Sequence, residues 1–220
     1  MRTVVFDLDG TLADTSVDLI AAANSCFRAR GLGDLLDPVA DARTAFRGAR
    51  AMLNLGFSRA EAGGAVEVEA DYLRFMEVYA EALDVHSRLY PGAGAAVERL
   101  RTAGYVTAIC TNKPEAMADK LLESLGVRSL FGALIGADTL TVRKPDPAPF
   151  FAAVERAGGD VARAILVGDT ETDRETAQAA GVPCAMVTFG PDGRGVEALV
   201  PEALLDRFED LEAVVARLIG

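Results

Sequence analysis

The sequence is short of basic residues, of cysteines that could pair, and of long apolar runs. Lysine and arginine total 22 against 33 aspartates and glutamates, giving a net charge of -11, which argues against non-specific nucleic-acid binding and against an anionic membrane surface. The three cysteines are odd in number and lack the paired spacing of a zinc site, which favours a reducing compartment. The N-terminus has no signal-peptide pattern and no uncharged apolar stretch reaches about 18 residues. We therefore expect a soluble cytoplasmic protein.

The 220 residues, half of them apolar, suffice for a full core and a small second domain. From Tyr90 onward, apolar strand-like runs alternate with helical patterns, which predicts a doubly wound parallel α/β sheet. Between residues 15 and 87 only helical periodicity occurs. The sequence therefore predicts an α/β core over 1–14 and 88–220, with residues 15–87 inserted as an α-helical subdomain.

Within the insertion, glycines divide the helical pattern into segments. Gly48, Gly56 and the pair at 63–64 are the expected breaks. After a first helix that ends near Gly31, the candidate helices are residues 38–46, 49–55 and 65–85.

The first strand carries two carboxylates at its C-terminal end. Val4 to Phe6 is an apolar run that leads directly into Asp7, and Asp9 follows two residues later. Alternate side chains of an extended segment point the same way, so both acids face one site. A plain surface turn is the alternative interpretation. A calcium-binding loop is excluded, because its glycine and its final glutamate would have to lie at other positions.

Further polar residues follow other predicted strands. Thr111 and Asn112 end one strand, Asp169 ends another with Asp173 four residues later, and Lys144 lies in a proline-rich loop. In parallel sheets these strand ends meet at one edge. Carboxylates suit a hard cation, while a hydroxyl, an amide and an ammonium suit a phosphate. The combination is the equipment for phosphoryl transfer.

At this point the chain resembles the haloacid dehalogenase superfamily of aspartate-nucleophile phosphatases. Four motifs match in order: residues 7–11 (Asp-Leu-Asp-Gly-Thr), Thr111, Lys144 and residues 168–173 (Gly-Asp-Thr-Glu-Thr-Asp). The resemblance implies a Rossmann-like core of the superfamily's type with a helical cap. Because true dehalogenases of this superfamily lack the second acid, Asp9 favours phosphate chemistry over carbon-halogen chemistry.

The resemblance also implies catalytic roles. Asp7 would attack phosphorus and form an aspartyl-phosphate. Asp9 would protonate the leaving oxygen and later take a proton from water. Thr111 and Lys144 would hold the non-bridging phosphate oxygens and stabilise the charge that builds on them.

The same resemblance implies a Mg²⁺ site. Asp7, the main-chain carbonyl of Asp9, and Asp169 would be its ligands, with the cation offsetting the repulsion between carboxylate and phosphate. Asp173 is expected to act through water or Lys144, and Thr11 to support the site without binding the metal.

Within the superfamily the chain is most similar to bacterial phosphoglycolate phosphatases, through residues 111–114, 144–147 and 167–173. The resemblance implies a small phosphate monoester, 2-phosphoglycolate first, as substrate. Asn112 and Lys113 are expected to border its phosphate. Arg47 and Gly48 of the cap are expected to contact the rest of it, Arg47 by pairing bidentately with a substrate carboxylate, with Arg43 and Arg50 as further candidates.

Other functions stay open at this stage. Residues 86–92 and 48–52 also resemble a proteobacterial branch that includes N-acetylmuramic acid 6-phosphate phosphatases. A phosphomutase would use the same four motifs, and a phospho-aspartate signalling receiver shares the sheet type but is about half this length. A monomer or homodimer is expected. His86, the only histidine, lies where the cap would rejoin the core and is expected at a hinge.

Overall fold

Six apolar runs of the chain become the strands of one parallel sheet in the computed structural model, which describes residues 1–61 and 63–220. The sheet order is β5-β4-β1-β6-β7-β8, and each neighbouring pair is parallel. Two further short strands, β2 and β3, pair as a separate ladder. The strands are β1 (Thr3–Phe6), β2 (Ala13–Asp14), β3 (Arg88–Leu89), β4 (Val106–Cys110), β5 (Ala133–Ile135), β6 (Ala164–Gly168), β7 (Cys184–Val187) and β8 (Ala203–Leu205).

Side chains that point to either face of the large sheet are buried along its strands, which indicates that helices cover both faces. Val5 packs with residues of helices α7 and α8, whereas its neighbours Val4 and Phe6 are equally buried but lie outside that cluster. Such strands are typical of parallel sheets, which need helices on both faces. The helices are α1 (Ser16–Ala29), α2 (Ala42–Ala45), α3 (Ala49–Arg59), α4 (Ala65–Glu81), α5 (Ala93–Thr102), α6 (Glu115–Ser124), α7 (Ala148–Arg156), α8 (Glu171–Ala180) and α9 (Leu211–Ile219), with 3-10 turns at Arg128–Leu130, Val161–Arg163, Gly193–Leu199 and Phe208–Asp210.

The predicted doubly wound sheet is therefore confirmed. Three short strands were not predicted: β8 at the edge of this sheet, and β2 and β3 of the separate ladder. All three are only two or three residues long, and β8 follows directly after Pro201-Glu202. Such short segments do not contain enough residues for a strand periodicity to be recognised.

The chain forms two compact units. The α/β unit comprises Met1–Ala13 and Leu89–Gly220, and the helical unit comprises Asp14–Arg88. The expected boundaries, after residues 14 and 87, differ from these by one residue each. No helix in the described part of the chain has the length and apolar character to cross a membrane.

The helical unit contains α1 to α4 around an aromatic core. The rings of Phe27 and Phe57 meet edge to face with centroids 5.2 Å apart, and Phe75 stacks on Tyr79. Gly56, predicted to be a helix break, lies inside α3. A Cβ atom at this position would come within 2.1 Å of the Phe27 ring, so the glycine serves close packing of α1 against α3.

Three predicted helices of this unit are wrong in extent, and the one predicted over 49–55 continues to Arg59. Residues 38–41 form a turn, in which Asp37 accepts hydrogen bonds from the backbone N–H groups of Val39 and Ala40, and α2 begins only at Ala42. The fourth helix ends at Glu81, not at residue 85. The N–H groups of His86 and Ser87 donate to the carboxylate of Asp18 instead of to helical carbonyls.

Candidate active site

The polar motifs converge because β4, β1 and β6 are neighbours in the sheet. Thr111 follows β4, Asp7 follows β1 and Asp169 follows β6, so the three residues leave the same edge of three adjacent strands. In the sheet, β4 and β5 lie on one side of β1, and β6, β7 and β8 lie on the other, so the direction in which strands are added reverses between them. Ligands of open α/β sheets bind at this kind of reversal point.

The turn after β1 is fixed by its own backbone. The N–H of Asp7 continues the ladder to the carbonyl of Val167, and the carbonyl of Leu8 accepts from residues 11–13. Gly10 has a φ of +83°, and a Cβ atom there would lie 2.2 Å from Oδ2 of Asp169. Glycine is thus required at position 10 both for its conformation and for the approach of the two loops.

Three carboxylates come together at this edge. Oxygens of Asp7, Asp169 and Asp173 lie within 4.8 Å of one another, and all three residues are buried. Gly168 makes room for this cluster, since a Cβ atom there would lie 2.4 Å from the Asp173 side chain.

Lys144 is the cation that compensates this cluster. Its ammonium group is 2.6 Å from Oδ1 of Asp173 and 3.0 Å from Oδ1 of Asp7, and its side chain is 2% exposed. Although burial lowers the pKa of Lys144, the carboxylates of Asp173 and Asp7 outweigh burial and raise that pKa overall. The lysine therefore stays charged in the site.

One cation does not neutralise three carboxylates, and the pKa values of the acids reflect this. Burial, together with the charges of Asp173 and Asp9, raises the pKa of Asp7 from 3.8 to about 6 against the opposing effect of Lys144. Burial and the neighbouring carboxylates of Asp173 and Asp7 also raise the pKa of Asp169. The site favours either a proton or a second positive charge.

The residues present fit a divalent cation. Oδ1 of Asp7 is buried and accepts no hydrogen bond, although the Lys144 ammonium lies near it. Thr11 donates to Oδ1 of Asp169 at 2.8 Å. In contrast, Asp173 uses Oδ1 for Lys144 and Oδ2 for the N–H groups of Asp169 and Thr170 and the Thr170 hydroxyl. Asp7 and Asp169 thus offer oxygens of the kind that Mg²⁺ binds, while those of Asp173 are engaged.

The second acid of the first motif has a different partner. Asp9 accepts a hydrogen bond on Oδ1 from the ammonium of Lys113 at 2.9 Å, and the lysine side chain is only 3% exposed. Asn112, expected at the phosphate together with Lys113, donates from its side chain to the carbonyl of Lys144. The pairing of Lys113 with Asp9 was not predicted. The two residues belong to different motifs 104 positions apart, so no local spacing indicates the pair.

The cap candidates lie in the helical unit. Arg47 and Gly48 precede α3, both exposed, and Gly48 has a φ of +91°. The Arg47 side chain has no hydrogen bond or ion pair with any described residue, and its backbone N–H donates to the carbonyl of Thr44. Arg50 is engaged: its guanidinium is bound by Glu69 through two hydrogen bonds and lies 3.8 Å from the centre of the Tyr72 ring. Of these two arginines, Arg47 is the one with a guanidinium available to a ligand.

His86, the predicted hinge residue, is held through its backbone. Its N–H and the N–H and hydroxyl of Ser87 all donate to the buried carboxylate of Asp18 at 2.8–3.0 Å. The imidazole itself is exposed. Asp18, near the start of α1, was not singled out from the sequence, because a carboxylate in a first helical turn is ordinary on its own.

Comparison with known proteins agrees with this geometry. The family described as haloacid dehalogenase-like hydrolase matches residues 4–187. A phosphoglycolate phosphatase of Mesorhizobium japonicum is 39% identical, with 98% of this chain and 96% of that protein covered, and one of Caulobacter vibrioides is 38% identical, with 99% and 92% covered. The crystal structure of a predicted phosphoglycolate phosphatase from Haemophilus somnus has a TM-score of 0.85 at 27% identity, covering 97% of both chains. The resemblance read from the motifs is confirmed, and the chain belongs to the haloacid dehalogenase-like hydrolase family.

Proposed function

We propose that this enzyme is a Mg²⁺-dependent phosphatase that hydrolyses 2-phosphoglycolate through an aspartyl-phosphate on Asp7. The observation that carries the proposal is the carboxylate cluster at the sheet edge. In it, Oδ1 of Asp7 is buried and accepts no hydrogen bond, and the ammonium of Lys144 lies 3.0 Å away. A nucleophile needs a free lone pair, and a charged phosphate needs cations beside it. The names of the curated relatives support the choice of substrate.

In the first step an oxygen of Asp7 forms a bond to phosphorus, and the bond from phosphorus to the ester oxygen breaks. The electron pair stays on the ester oxygen, which receives a proton from Asp9 and leaves as an alcohol. In the second step a water oxygen attacks phosphorus, Asp9 takes the water proton, and the bond to Asp7 breaks. The products are the alcohol and inorganic phosphate, with both carboxyl groups restored.

Lys144 and Thr111 are the proposed ligands of the phosphoryl oxygens. Lys144 is fixed by Asp173, so its charge is in place before the substrate arrives and needs no reorganisation. The loop after β4 is tied to the Lys144 loop by the hydrogen bond from Asn112. Bound Mg²⁺, held by Asp7, the carbonyl of Asp9 and Asp169, would supply the positive charge that lets an anionic carboxylate approach an anionic phosphate.

Arg47, with Gly48, is proposed to contact the carboxylate of the substrate. Support comes from the unpaired guanidinium of Arg47, since arginine binds a carboxylate through two parallel hydrogen bonds. The exposed Gly48 beside it has no Cβ atom to limit access.

A panel of phosphate monoesters with Mg²⁺ tests the assignment, with the Asp7→Asn variant as control. The proposal expects 2-phosphoglycolate to have the highest kcat/KM and Asp7→Asn to be inactive. A higher kcat/KM for N-acetylmuramic acid 6-phosphate would change the proposed substrate and leave the proposed reaction as it is. Isomerised sugar phosphate in place of free phosphate would identify a phosphomutase, and an aspartyl-phosphate that persists for minutes to hours would identify a receiver.

A further inference from the structure

Two lysines of the active site are bound to different carboxylates. Lys144 contacts Asp7 and Asp173, while Lys113 donates to Asp9 at 2.9 Å. The Lys113 side chain is 3% exposed and that of Asp9 is 18% exposed. Burying an ammonium group costs several kcal/mol unless a well-placed anion compensates it. The contact between Lys113 and Asp9 is therefore held in a definite geometry.

Lys113 is also held through its backbone. Its N–H donates to the hydroxyl of Thr111 at 3.2 Å, and its carbonyl accepts from the N–H of Ala137 in the loop after β5. Asp9 is part of the tight turn after β1, in which the N–H of Gly10 donates to the carbonyl of Ala13. A fixed cation thus meets a carboxylate whose main chain is also fixed, so the ion pair restrains the rotation of that carboxylate.

We infer that Lys113 is a positioning residue, which binds one oxygen of the Asp9 carboxylate and so fixes the orientation in which Asp9 gives a proton to the ester oxygen and later takes one from water. The inference rests on the proposed function, because it assigns Lys113 a part in the proton transfers that Asp9 makes there. It differs from the expectation that Lys113 simply borders the phosphate. Displacement of a catalytic group by about 1 Å costs about 100-fold in rate, so the effect is measurable.

Two substrates separate positioning from general damage. An alkyl phosphate such as 2-phosphoglycolate releases a strongly basic alkoxide and needs a proton from Asp9 as the P–O bond breaks. 4-Nitrophenyl phosphate releases a stable phenolate and does not. Because kcat/KM reports the steps up to the release of the alcohol or phenol, loss of Asp9 positioning lowers this ratio for the alkyl ester and spares it for the aryl ester.

The second proton transfer gives another signature. Hydrolysis of the aspartyl-phosphate needs Asp9 to take a proton from water, whichever ester was cleaved. For 4-nitrophenyl phosphate, a badly placed Asp9 therefore lowers kcat and KM together and leaves kcat/KM unchanged. A nitrophenolate burst then precedes the steady state, as the aspartyl-phosphate accumulates.

The test compares Lys113→Met with the wild type on both esters in the presence of Mg²⁺. We expect kcat/KM to fall about 10- to 100-fold for the alkyl ester and to change less than about threefold for the aryl ester. Lys113→Arg keeps a cation and should recover most of the alkyl-ester value. Lys120→Met removes a lysine charge at an exposed position of α6 and is the matched control, with no change expected on either ester.

Three results would overturn the inference: equal losses of kcat/KM on the two esters, no loss on the alkyl ester, or Lys113→Arg as impaired as Lys113→Met. If Lys113→Met is insoluble, Lys113→Gln, which keeps a hydrogen-bond donor, takes its place. The same comparison of kcat/KM on the alkyl and aryl esters then decides. The proposed function fails separately, if the wild type hydrolyses neither ester or if Asp7→Asn keeps its activity.

Discussion

The sheet edge of the α/β unit and the surface around Arg47 and Arg50 of the helical unit handle charge in different ways. At the sheet edge the ammonium groups of Lys113 and Lys144 are almost fully buried and are paired with carboxylates. In the helical unit the pair of Arg50 with Glu69 is about half exposed, and Arg47 is exposed without a partner. Buried charges are stable only in compensated arrangements, whereas exposed ones cost little. The charges of the proposed chemistry are therefore held in the core, whereas those of Arg47 and Arg50 lie at the surface.

The largest effect is expected for Asp7→Asn, which removes the proposed nucleophile. Turnover should fall by at least about 10⁴-fold on every ester, acidic or neutral. Because the variant also removes one of several repelling carboxylates, its melting temperature at pH 7.5 without Mg²⁺ should equal or exceed that of the wild type. A phosphate-release assay and a thermal melt check the two outcomes, and residual activity on any ester would count against Asp7.

Lys144→Met and Arg50→Met compare a buried cation with an exposed one. The first leaves Asp7 and Asp173 uncompensated and should cost about 3–5 kcal/mol, or about 10 °C in melting temperature for a chain of this size. The second breaks the pair with Glu69 and should cost less than about 1 kcal/mol. Similar losses of unfolding free energy in denaturant titrations of the two variants would contradict the distinction between the buried and the exposed cation.

Mg²⁺ should stabilise the protein in a pH-dependent way. The pKa of Asp7 is raised to about 6 in the fold, so the folded state holds this proton more tightly than the unfolded chain does. Ionising Asp7 therefore costs stability, a cost that is absent below about pH 4 and complete above about pH 6. Mg²⁺ at about 100 times its Kd should add about 2.7 kcal/mol above pH 7.

Below about pH 5 the same Mg²⁺ concentration should add much less, since protons and the cation compete for the carboxylates. Melting curves at pH 5.0 and 7.5, each with Mg²⁺ or with chelator, measure the difference. A gain in melting temperature that is the same at both pH values would argue against metal binding at Asp7 and Asp169.

Arg47→Ala should have the smallest effect. Loss of the guanidinium should raise KM for acidic esters about 10-fold, which corresponds to about 1.4 kcal/mol, and leave kcat and neutral esters unchanged. Arg50→Ala is the control from the same surface, because its guanidinium is already bound by Glu69. Equal changes for acidic and neutral esters would rule out a carboxylate-binding role for Arg47.

The sequence predicts the parts of the molecule that are determined by local pattern. Asp7, Thr111 and Asp169 were found because each follows an apolar strand, and a parallel sheet brings such strand ends together whatever lies between them. The strand alternation and the helical insertion follow from periodicity in the same way. These features depend on local pattern plus one topological rule.

Features that depend on side-chain contacts across the chain were missed or misjudged. Gly56 was taken for a helix break because nothing local indicates the Phe27 ring against it. The N–H groups of His86 and Ser87, which follow the end of α4, are bound by Asp18, more than 60 residues earlier. The partner of Lys113 likewise lies in another motif, 104 residues away. Such pairings are set by tertiary packing and leave little trace in a single sequence.

Covalent phosphorylation of Asp7 can be measured directly. The enzyme is mixed with a substrate and Mg²⁺, quenched in acid within one turnover and treated with borohydride, which reduces an acyl phosphate to an alcohol. Peptide mass spectrometry should then find homoserine at position 7 in the wild type and none in Asp7→Asn. Unmodified Asp7 in a sample that has released alcohol but not yet phosphate, or homoserine at another aspartate, would contradict the proposed reaction.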